Sequence, residues 1–212
     1  MAEDRRKLQV KSNVKDESLV EIRRQQILQA SILLFREKGF HRATTREIAK
    51  AAGFSIGTLY EYVRTKEDVL YLICDNISVK VNNSFAPFPE QNATIEDLEI
   101  AIANYIRVVD TMLDEFTIMY QETKSLPKEA MRYVLNKELE MVGIFEQMLK
   151  SCVISGKLKL TAEEIFLAAN QILVMGQSWA FRKWAIHARF TLSKFIEHET
   201  KLLLQGLARP GK

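Results

Sequence analysis

Between Thr44 and Lys66 the sequence specifies two short helices joined by a sharp turn. Thr44 precedes Glu47 by three residues, which is the spacing of a capping box at the start of a helix. Gly53 is suited to end that helix, because glycine adopts the left-handed conformation without the steric cost of a Cβ. Ser55 can then cap a second helix. The order of these signals predicts a helix-turn-helix.

The second of these helices has an apolar side and a polar side. Ile56, Leu59 and Val63 are three and four residues apart, so they are expected on one face. The other side is predicted to carry small and polar residues, namely Gly57, Thr58, Tyr60, Glu61 and Tyr62. Hydroxyl groups donate to phosphate oxygens, and a helix N-terminus adds partial positive charge toward phosphate. This side is therefore predicted to face DNA; the alternative is a compact helical hairpin with a solvated polar face.

Four segments in this part of the chain follow one family pattern: FREKGF, TTREIAKAAG, SIGTLYEYV and TKEDVL. Through them, residues 25–70 resemble the DNA-binding domain of TetR-family transcriptional regulators. The chain departs from the pattern at Phe54, Val63 and Thr65, where a smaller aliphatic residue, Phe and Ser are common. None of these departures removes a polar group that the family uses on DNA. Beyond Leu70 the resemblance implies an all-helical domain for ligand binding and dimerisation.

The helix-turn-helix is predicted to insert the segment from Ser55 to Tyr62 into the major groove of operator DNA. Five residues are predicted to contact DNA phosphates: Thr44, Thr45, Arg46, Tyr62 and Lys66. The full predicted set of DNA-contacting residues is Thr44, Thr45, Arg46, Ser55, Ile56, Gly57, Thr58, Tyr60, Tyr62 and Lys66.

Charge is unevenly distributed along the chain. The formal net charge is +3, yet residues 1–66 hold 14 Lys and Arg against 8 Asp and Glu, while the remainder holds 16 against 19. A basic N-terminal third is typical of a nucleic-acid-binding module attached to a regulatory body. Residues 1–17 are predicted to form a basic mobile arm that touches DNA electrostatically, or else a solvated tail. Residues 18–66 form the predicted helix-turn-helix domain and residues 67–212 the ligand-binding and dimerisation domain.

The predicted fold is all-α, with an N-terminal three-helix domain and a helical C-terminal domain. Ser18 and Glu21 form an apparent capping box that starts the first helix near Leu19, and Pro87 and Pro89 interrupt the pattern in a loop. Besides the two short helices, the signals predict helices over about 19–38, 66–85, 95–116, 117–125, 127–155, 162–186 and 192–207. The helix over 162–186 is apolar nearly all round, so it is expected to be buried on every side. It and the last helix are predicted to form a four-helix interface in a homodimer.

The residues of the C-terminal domain show no pattern that predicts an enzyme. We find no grouping typical of a nucleophile and its base, no glycine-rich phosphate loop and no metal-ligand spacing, so no cofactor or metal is expected. Cys74 and Cys152 lie in apolar helical patterns and are expected to be buried free thiols. A charged N-terminus without a signal peptide and the absence of a membrane-span pattern predict a cytoplasmic protein.

Methionine and aromatic side chains in the C-terminal domain suit an irregular apolar ligand. The predicted effector-binding residues are Tyr105, Met112, Phe116, Tyr120, Phe145, Met148, Trp179 and Arg182. The segments MYQETKSLP and MGQSWAFRKW resemble the C-terminal domains of TetR regulators that respond to acyl-CoA thioesters. That resemblance implies Arg182, Lys183 and Arg189 as partners of the coenzyme phosphates. The alternatives are ordinary core packing for the apolar residues and a solvated helix end for the three basic ones.

The sequence thus predicts a homodimeric transcriptional repressor that a hydrophobic small molecule, of which an acyl-CoA is one candidate, releases from its operator. Two alternatives stay open at this level. One is a helical lipid carrier or enzyme with an incidental helix-turn-helix-like hairpin. The other is an activator, or an architectural DNA-binding protein without a ligand.

Overall fold

The computed structural model describes residues 10, 12–85 and 92–207, and in these residues the fold is all-helical, without a β-strand. The predicted fold class is confirmed. Most of the predicted basic arm, including Arg5, Arg6, Lys7 and Lys11, lies outside the described residues, as do Pro87 and Pro89. The helices are α1 Glu17–Lys38, α2 Thr45–Ala51, α3 Ile56–Tyr62, α4 Lys66–Phe85, α5 Ile95–Thr111, α6 Leu113–Glu122, α7 Lys128–Ile154, α8 Ala162–Phe181, α9 Lys183–Ile186 and α10 Leu192–Leu207, with a 3-10 turn at Thr123–Ser125 between α6 and α7.

The chain divides into two compact units. The first consists of Met1–Asn76 and Thr117–Asn136, and the second of Ile77–Phe116 and Lys137–Lys212. Helices α4, α6 and α7 therefore contribute residues to both units.

In the first unit, α1 packs against α2 and α3. Ile27, Ile48, Leu59 and Val63 have no exposed surface and form the centre of this core. Phe35 and Phe40 meet edge to face, with ring centroids 5.2 Å apart, where the chain leaves α1. These contacts fix α2 and α3 on the α1 scaffold.

The start of α1 differs from the prediction. Asp16, not Ser18, is the N-cap residue, because its Oδ1 accepts hydrogen bonds from the backbone N–H groups of Ser18 and Leu19 at 3.0 and 3.1 Å. Glu21 instead accepts a hydrogen bond from Gln25 on the surface of the helix. A carboxylate two residues upstream thus replaces the predicted capping box of Ser18 and Glu21.

In the second unit, α5 packs against α8 and α10. Tyr105, Ile106, Phe145 and Ile172 are fully buried at the centre of this core. Gly176 lets α8 approach the Tyr105 ring, because a Cβ built on Gly176 would lie 2.4 Å from Tyr105 Cε1. The absence of a Cβ at position 176 therefore allows α8 to pass the Tyr105 ring at close range.

Two predicted helices end earlier than expected. The predicted helix over 95–116 breaks at Met112, whose φ of −136° and ψ of 38° leave the helical region. Met112 and Phe116 are both buried after this break, so tertiary packing overrides the local helix propensity. The predicted helix to residue 186 ends at Phe181, and His187 folds back to stack on Trp179 at a ring-centroid distance of 3.9 Å.

Helix α8 is also less buried than its sequence predicts. Phe166, Leu167 and Val174 are exposed on it, Leu167 by 65%. The opposite face of α8 carries buried residues such as Ile172 and Met175. In the single chain α8 is therefore buried on one face, and burial of its other face against a partner stays a prediction.

Candidate nucleic-acid interface and effector region

Local hydrogen bonds fix the N-terminus of α2. The backbone N–H of Thr44 donates to Glu47 Oε2 at 3.0 Å, and the Glu47 N–H donates to Thr44 Oγ1 at 3.3 Å, which confirms the predicted capping box. The Lys38 ammonium pairs with the other oxygen of Glu47. Hydrogen bonds from Lys38 and then from Thr44 lower the pKa of Glu47 to about 2. The start of α2 is thus tied to the end of α1 by an ionised carboxylate.

The turn and the N-terminus of α3 also follow the prediction. Gly53 has a φ of +76°, in the left-handed region that favours glycine. Ser55 caps α3, because its hydroxyl accepts from the Thr58 N–H at 3.0 Å. Ser55 and Gly57 are exposed, and Thr58 is half-buried. The first turn of α3 therefore presents small side chains, which would allow this helix to approach a DNA groove closely.

Residues on α2 and α3 meet on the exposed side. The Tyr60 and Thr45 hydroxyl oxygens lie 3.2 Å apart, within hydrogen-bond distance. Tyr60 is exposed, as are Thr44 and Arg46 next to it in the α2 start. The structure thus brings four of the predicted DNA-contacting residues to the exposed surface of the same two helices.

The two faces of α3 are divided differently from the prediction. Tyr62 was expected on the polar side, but it is only 4% exposed and is buried, as are Leu59 and Val63. Ile56 was expected on the inner face, yet it is 36% exposed. Positions 59, 62 and 63 share one side of a helix with 3.6 residues per turn, which accounts for the burial of Tyr62. The outward placement of Tyr62 is wrong; contacts of Ile56 and Tyr62 with DNA stay predictions.

Lys66 lies at the start of α4 and has a structural partner that the sequence did not indicate. Its ammonium donates to the backbone carbonyls of Phe40 and His41 at 3.1 and 3.0 Å. It also lies 4.6 Å from the centroid of the Phe40 ring. Lys66 therefore secures the connection between α1 and α2, and its predicted contact with phosphate stays a prediction.

Arg24 is a further residue of this unit that sequence reasoning missed. Its guanidinium donates to the Tyr62 carbonyl at 3.3 Å and to the Val10 carbonyl, and burial lowers its pKa. The hydroxyl of Ser12 and the N–H of Asn13 both donate to the Glu61 carbonyl, at 2.9 and 3.0 Å. The chain just before α1 is thus fastened to the C-terminal end of α3. The sequence shows only that Arg24 lies on an amphipathic helix. It does not indicate the hydrogen-bond partner of Arg24, because that partner lies 38 residues away.

Six of the eight predicted effector-binding residues belong to the core of the second unit and are buried: Tyr105, Met112, Phe116, Phe145, Met148 and Trp179. The Tyr105 ring meets the rings of Phe116 and Phe145 edge to face, at centroid distances of 6.4 and 6.0 Å. Tyr120 belongs to the first unit and is 67% exposed. Arg182 is exposed at the end of α8.

Polar groups in the second unit find specific partners. The Trp179 indole N–H donates to Asp110 Oδ1 at 2.7 Å, and the Gln177 amide donates to Glu138 Oε1 at 3.1 Å. The Tyr105 hydroxyl donates to the Leu173 carbonyl at 3.4 Å. Burial raises the pKa of the Glu138 carboxyl, which the hydrogen bond from Gln177 opposes. Sequence patterns did not indicate Glu138, because its partner is on another helix.

The basic residues near the end of α8 are only partly available to an anion. Arg182 lies over the Trp184 ring, with its guanidinium carbon 5.5 Å from the centroid. The Lys183 ammonium lies 3.6 Å from Asp114 Oδ1. Arg182, Lys183 and Arg189 are all exposed. Their contact with coenzyme phosphates stays a prediction.

Within the described residues, no group of His, Cys, Asp and Glu could hold a metal ion. Cys74 and Cys152 are free and buried. None of the helices in the described part of the chain is long and apolar enough to cross a membrane.

Two family models match the chain. Residues 27–71 match the model described as bacterial regulatory proteins, tetR family, and residues 91–181 match the tetracyclin repressor-like C-terminal domain. The chain is 32% identical over 206 residues to the HTH-type transcriptional regulator HbdR of Aromatoleum sp. (strain CIB), an alignment that covers 96% of this chain and 89% of HbdR.

Solved structures show the same fold. A bacterial regulatory protein in the tetR family from Rhodococcus RHA1 superposes with a TM-score of 0.80 at 22% identity, covering 89% of this chain and 98% of that one. AibR in complex with isovaleryl coenzyme A and operator DNA superposes with a TM-score of 0.72 at 19% identity, covering 86% and 98%. With the helix-turn-helix geometry and the identity to HbdR, these findings lead to one conclusion. The chain belongs to the TetR family of bacterial transcriptional regulators, which are DNA-binding regulators and not enzymes.

Proposed function

We propose that this regulator is a cytoplasmic, homodimeric repressor that leaves its operator when it binds a hydrophobic small molecule of the acyl-CoA class. The observation that carries the DNA-binding part is the exposed side of α2 and α3, where Tyr60 and Thr45 are held together next to Arg46. Family members bind operator DNA and small-molecule effectors, typically as dimers.

In this proposal the first turn of α3 enters the major groove. Ser55, Gly57 and Thr58 are small, so the helix can approach base edges and phosphates closely. Arg46 is exposed at the start of α2 and carries a full charge for phosphate contact. The Thr45 hydroxyl adds a hydrogen-bonding group and the N-terminus of α2 a partial positive charge. The Thr44 hydroxyl donates to Glu47 Oε2 at 2.7 Å, so Thr44 would contact a phosphate by exchanging that bond.

The homodimer is supported by apolar residues that the single chain leaves exposed on α8 and α10. Phe166, Leu167 and Val174 lie on α8, and Leu202 on α10 is 66% exposed. Leu167 and Val174 are seven residues apart, so they form one stripe along α8. Pairing α8 and α10 with their copies in a second chain would bury these side chains, which is the four-helix interface that the sequence predicts.

The effector part is supported by the apolar interior of the second unit and by one structural relative. The aromatic and methionine side chains around Tyr105 suit an acyl chain. AibR, whose fold this chain shares, is described in complex with isovaleryl coenzyme A. In this protein Arg182 and Lys183 would meet the phosphates, because an arginine can bind phosphate in a bidentate fork.

The test combines calorimetry and DNA release. Acyl-CoA thioesters of increasing chain length should bind more tightly by up to ~0.8 kcal/mol per buried CH₂ until the site is full. They should also release the protein from DNA taken from upstream of its own coding sequence. Binding that is independent of chain length would remove the acyl-CoA class, and the repressor part would then need another effector.

A matched set of variants tests the phosphate contacts. Arg182→Ala combined with Lys183→Ala should weaken binding of the thioester much more than binding of the free fatty acid. Lys159→Ala, which removes an exposed lysine elsewhere in the second unit, serves as the control and should leave both affinities unchanged. Equal loss for the thioester and the free acid would show that Arg182 and Lys183 do not contact the coenzyme.

A further inference from the structure

Ile56, the first residue of α3, keeps part of its apolar side chain at the surface. It is 36% exposed, whereas Leu59 and Val63 have no exposed surface. In α2 and α3, whose residues are all described, the exposed large apolar side chains are those of Ile56 and Tyr60. The Tyr60 hydroxyl already has a partner in Thr45. An alkyl group makes no hydrogen bond, so a molecule that meets Ile56 gains from it only through apolar contact.

The residue after Ile56 leaves space beside it. Gly57 is exposed and does not have a positive φ, so its backbone conformation does not require glycine. A Cβ built on Gly57 would meet only Ser55 Oγ, at 3.6 Å, which is an ordinary van der Waals distance. The fold would therefore accept a side chain at position 57. Because glycine stands there, the surface of a second molecule can approach the Ile56 side chain.

The polar groups near Ile56 distinguish poorly between bases. Ser55 Oγ lies 2.9 Å from Thr58 Oγ1 and accepts a hydrogen bond from the Thr58 N–H at 3.0 Å. A hydroxyl group can donate or accept, so serine and threonine fit the edge of any base. Helix α3 has the sequence IGTLYEY and contains no Arg, Lys, Asn or Gln, the side chains that bind base edges in a bidentate way. Its carboxylate, Glu61, lies about 140° around the helix from Ile56.

We propose that Ile56 contacts the methyl group of a thymine in the major groove, and that this contact sets one position of the operator sequence. The inference rests on the proposed function, which places the first turn of α3 in that groove. Among the four bases of DNA, thymine is the one that presents an apolar group there, its C5 methyl. Isoleucine is branched at Cβ and stiff at χ1, so the position of its methyl groups is fixed by the α3 backbone.

The edges of the other bases fit an isoleucine less well. In the major groove cytosine presents an amino donor, guanine two acceptors, and adenine one donor and one acceptor. An alkyl side chain that covers these groups removes their water without supplying a hydrogen bond, which lowers the affinity. The methyl group of thymine has no hydrogen bond to lose, and burying it releases water from both apolar surfaces. The base pair at Ile56 is therefore expected to be thymine with adenine.

The experiment uses the full chain and a DNA duplex that the wild-type protein selects from a random-sequence pool. Each thymine of this duplex is replaced in turn by deoxyuridine, which removes the methyl group and keeps every hydrogen-bonding group of the base. Affinities are measured by fluorescence anisotropy at one salt concentration. At one thymine in each half-site the replacement should weaken binding by wild type about fourfold, the effect of one buried methyl group.

Three variants assign the effect to Ile56. Ile56→Ala should bind the thymine and deoxyuridine duplexes equally, because the shortened side chain no longer reaches the methyl group. Ile56→Val removes less of the side chain, so it should fold as wild type does and discriminate less strongly. Val79→Ala truncates an exposed β-branched residue in the second unit and should discriminate as wild type does. Circular dichroism should show native helicity for all three variants.

The outcomes separate this inference from the proposed function. If wild type binds the selected duplex and no deoxyuridine replacement weakens binding by more than about twofold, less than one buried methyl group contributes, the thymine contact is refuted and operator binding stands. Discrimination of wild-type size in Ile56→Val and in folded Ile56→Ala also refutes the contact, because another residue then meets the methyl group. If wild type selects no duplex from the pool, operator binding and the thymine contact are both refuted.

Discussion

The hydroxyl oxygens of Thr45 and Tyr60 lie 3.2 Å apart, which links the first residue of α2 to the exposed side of α3. A tyrosine on a helix surface would otherwise sample several orientations. The link to Thr45 restricts the Tyr60 ring to one of them. Since Tyr60 is predicted to contact DNA, this pair connects the geometry of the turn to the affinity for the operator.

Truncation of Tyr60 should weaken operator binding without disturbing the fold. Tyr60→Ala removes an exposed ring and opens no cavity, so helicity should be unchanged while DNA affinity falls about tenfold or more, measured by fluorescence anisotropy. Tyr60→Phe keeps the ring and loses the bond to Thr45, and it should show a smaller loss. Thr45→Val should resemble Tyr60→Phe if the hydrogen bond orients the ring.

Truncation of a residue on the inner face of α3 should destabilise the fold, in contrast to truncation of Tyr60. Leu59→Ala removes a side chain with no exposed surface and should destabilise the protein by roughly 2–5 kcal/mol in denaturant unfolding. If Tyr60→Ala unfolds the protein as Leu59→Ala does, the assignment of the outer and inner faces is wrong.

Operator affinity should depend strongly on salt, and Arg46 should account for part of that dependence. Each phosphate that a basic side chain neutralises contributes about −0.9 to the slope of log affinity against log salt. Arg46→Ala should reduce the slope by about one per monomer, equally for specific and nonspecific DNA. Lys159→Ala is the control because Lys159 is exposed in the other unit. A wild-type slope near zero would argue against DNA binding through phosphate contacts.

The pKa of Glu47 predicts how the first unit responds to acid. Its folded pKa of about 2 lies below the ordinary value of 4.5 for a glutamate, so ionised Glu47 stabilises the fold above pH 4.5. This contribution should be lost as the pH falls from about 4.5 toward 2, because in that range the carboxyl of the unfolded chain binds a proton while the folded carboxyl stays ionised.

Thermal unfolding of wild type and Glu47→Gln between pH 2 and 7 measures this contribution as the difference between their melting temperatures. The melting temperatures should differ most near neutral pH and converge as the pH approaches 2. Glu37→Gln, an exposed carboxylate on α1, serves as the control for general charge effects. Parallel profiles for wild type and Glu47→Gln would show that the pair with Lys38 and the bond to Thr44 do not stabilise the ionised form.

Two glycine substitutions in the second unit should have opposite effects on the free energy of unfolding. Gly176→Ala places a Cβ 2.4 Å from Tyr105 Cε1, and the fully buried ring cannot move without disturbing its neighbours, so the variant should lose about 1–3 kcal/mol. Gly143→Ala on α7 meets nothing within 4 Å and should gain about 0.5–1 kcal/mol from the better helix propensity of alanine. Denaturant unfolding of both variants checks the packing around Tyr105.

Signals that act within a few residues were readable from the sequence. The capping box that begins at Thr44, the left-handed glycine at position 53 and the Ser55 cap all occur as predicted. Each depends on hydrogen bonds or a backbone conformation within four residues, so the local sequence contains the information that it requires. The family pattern over residues 25–70 is built from the same elements, which is why it identified the DNA-binding fold.

The Asp16 cap and the inward side of Tyr62 are local corrections, but other features that differ from the sequence predictions depend on partners far along the chain. The break at Met112 follows from the burial of Met112 and Phe116 in the second unit. Arg24 finds the Tyr62 carbonyl 38 residues away, and Gln177 finds Glu138 39 residues away. Periodicity assigns a residue to a face of its own helix, but it does not contain the neighbour that this face meets. The sequence by itself therefore determined the all-helical fold and the DNA-binding motif with its caps, whereas the tertiary structure decided where two long helices break and which distant polar groups pair.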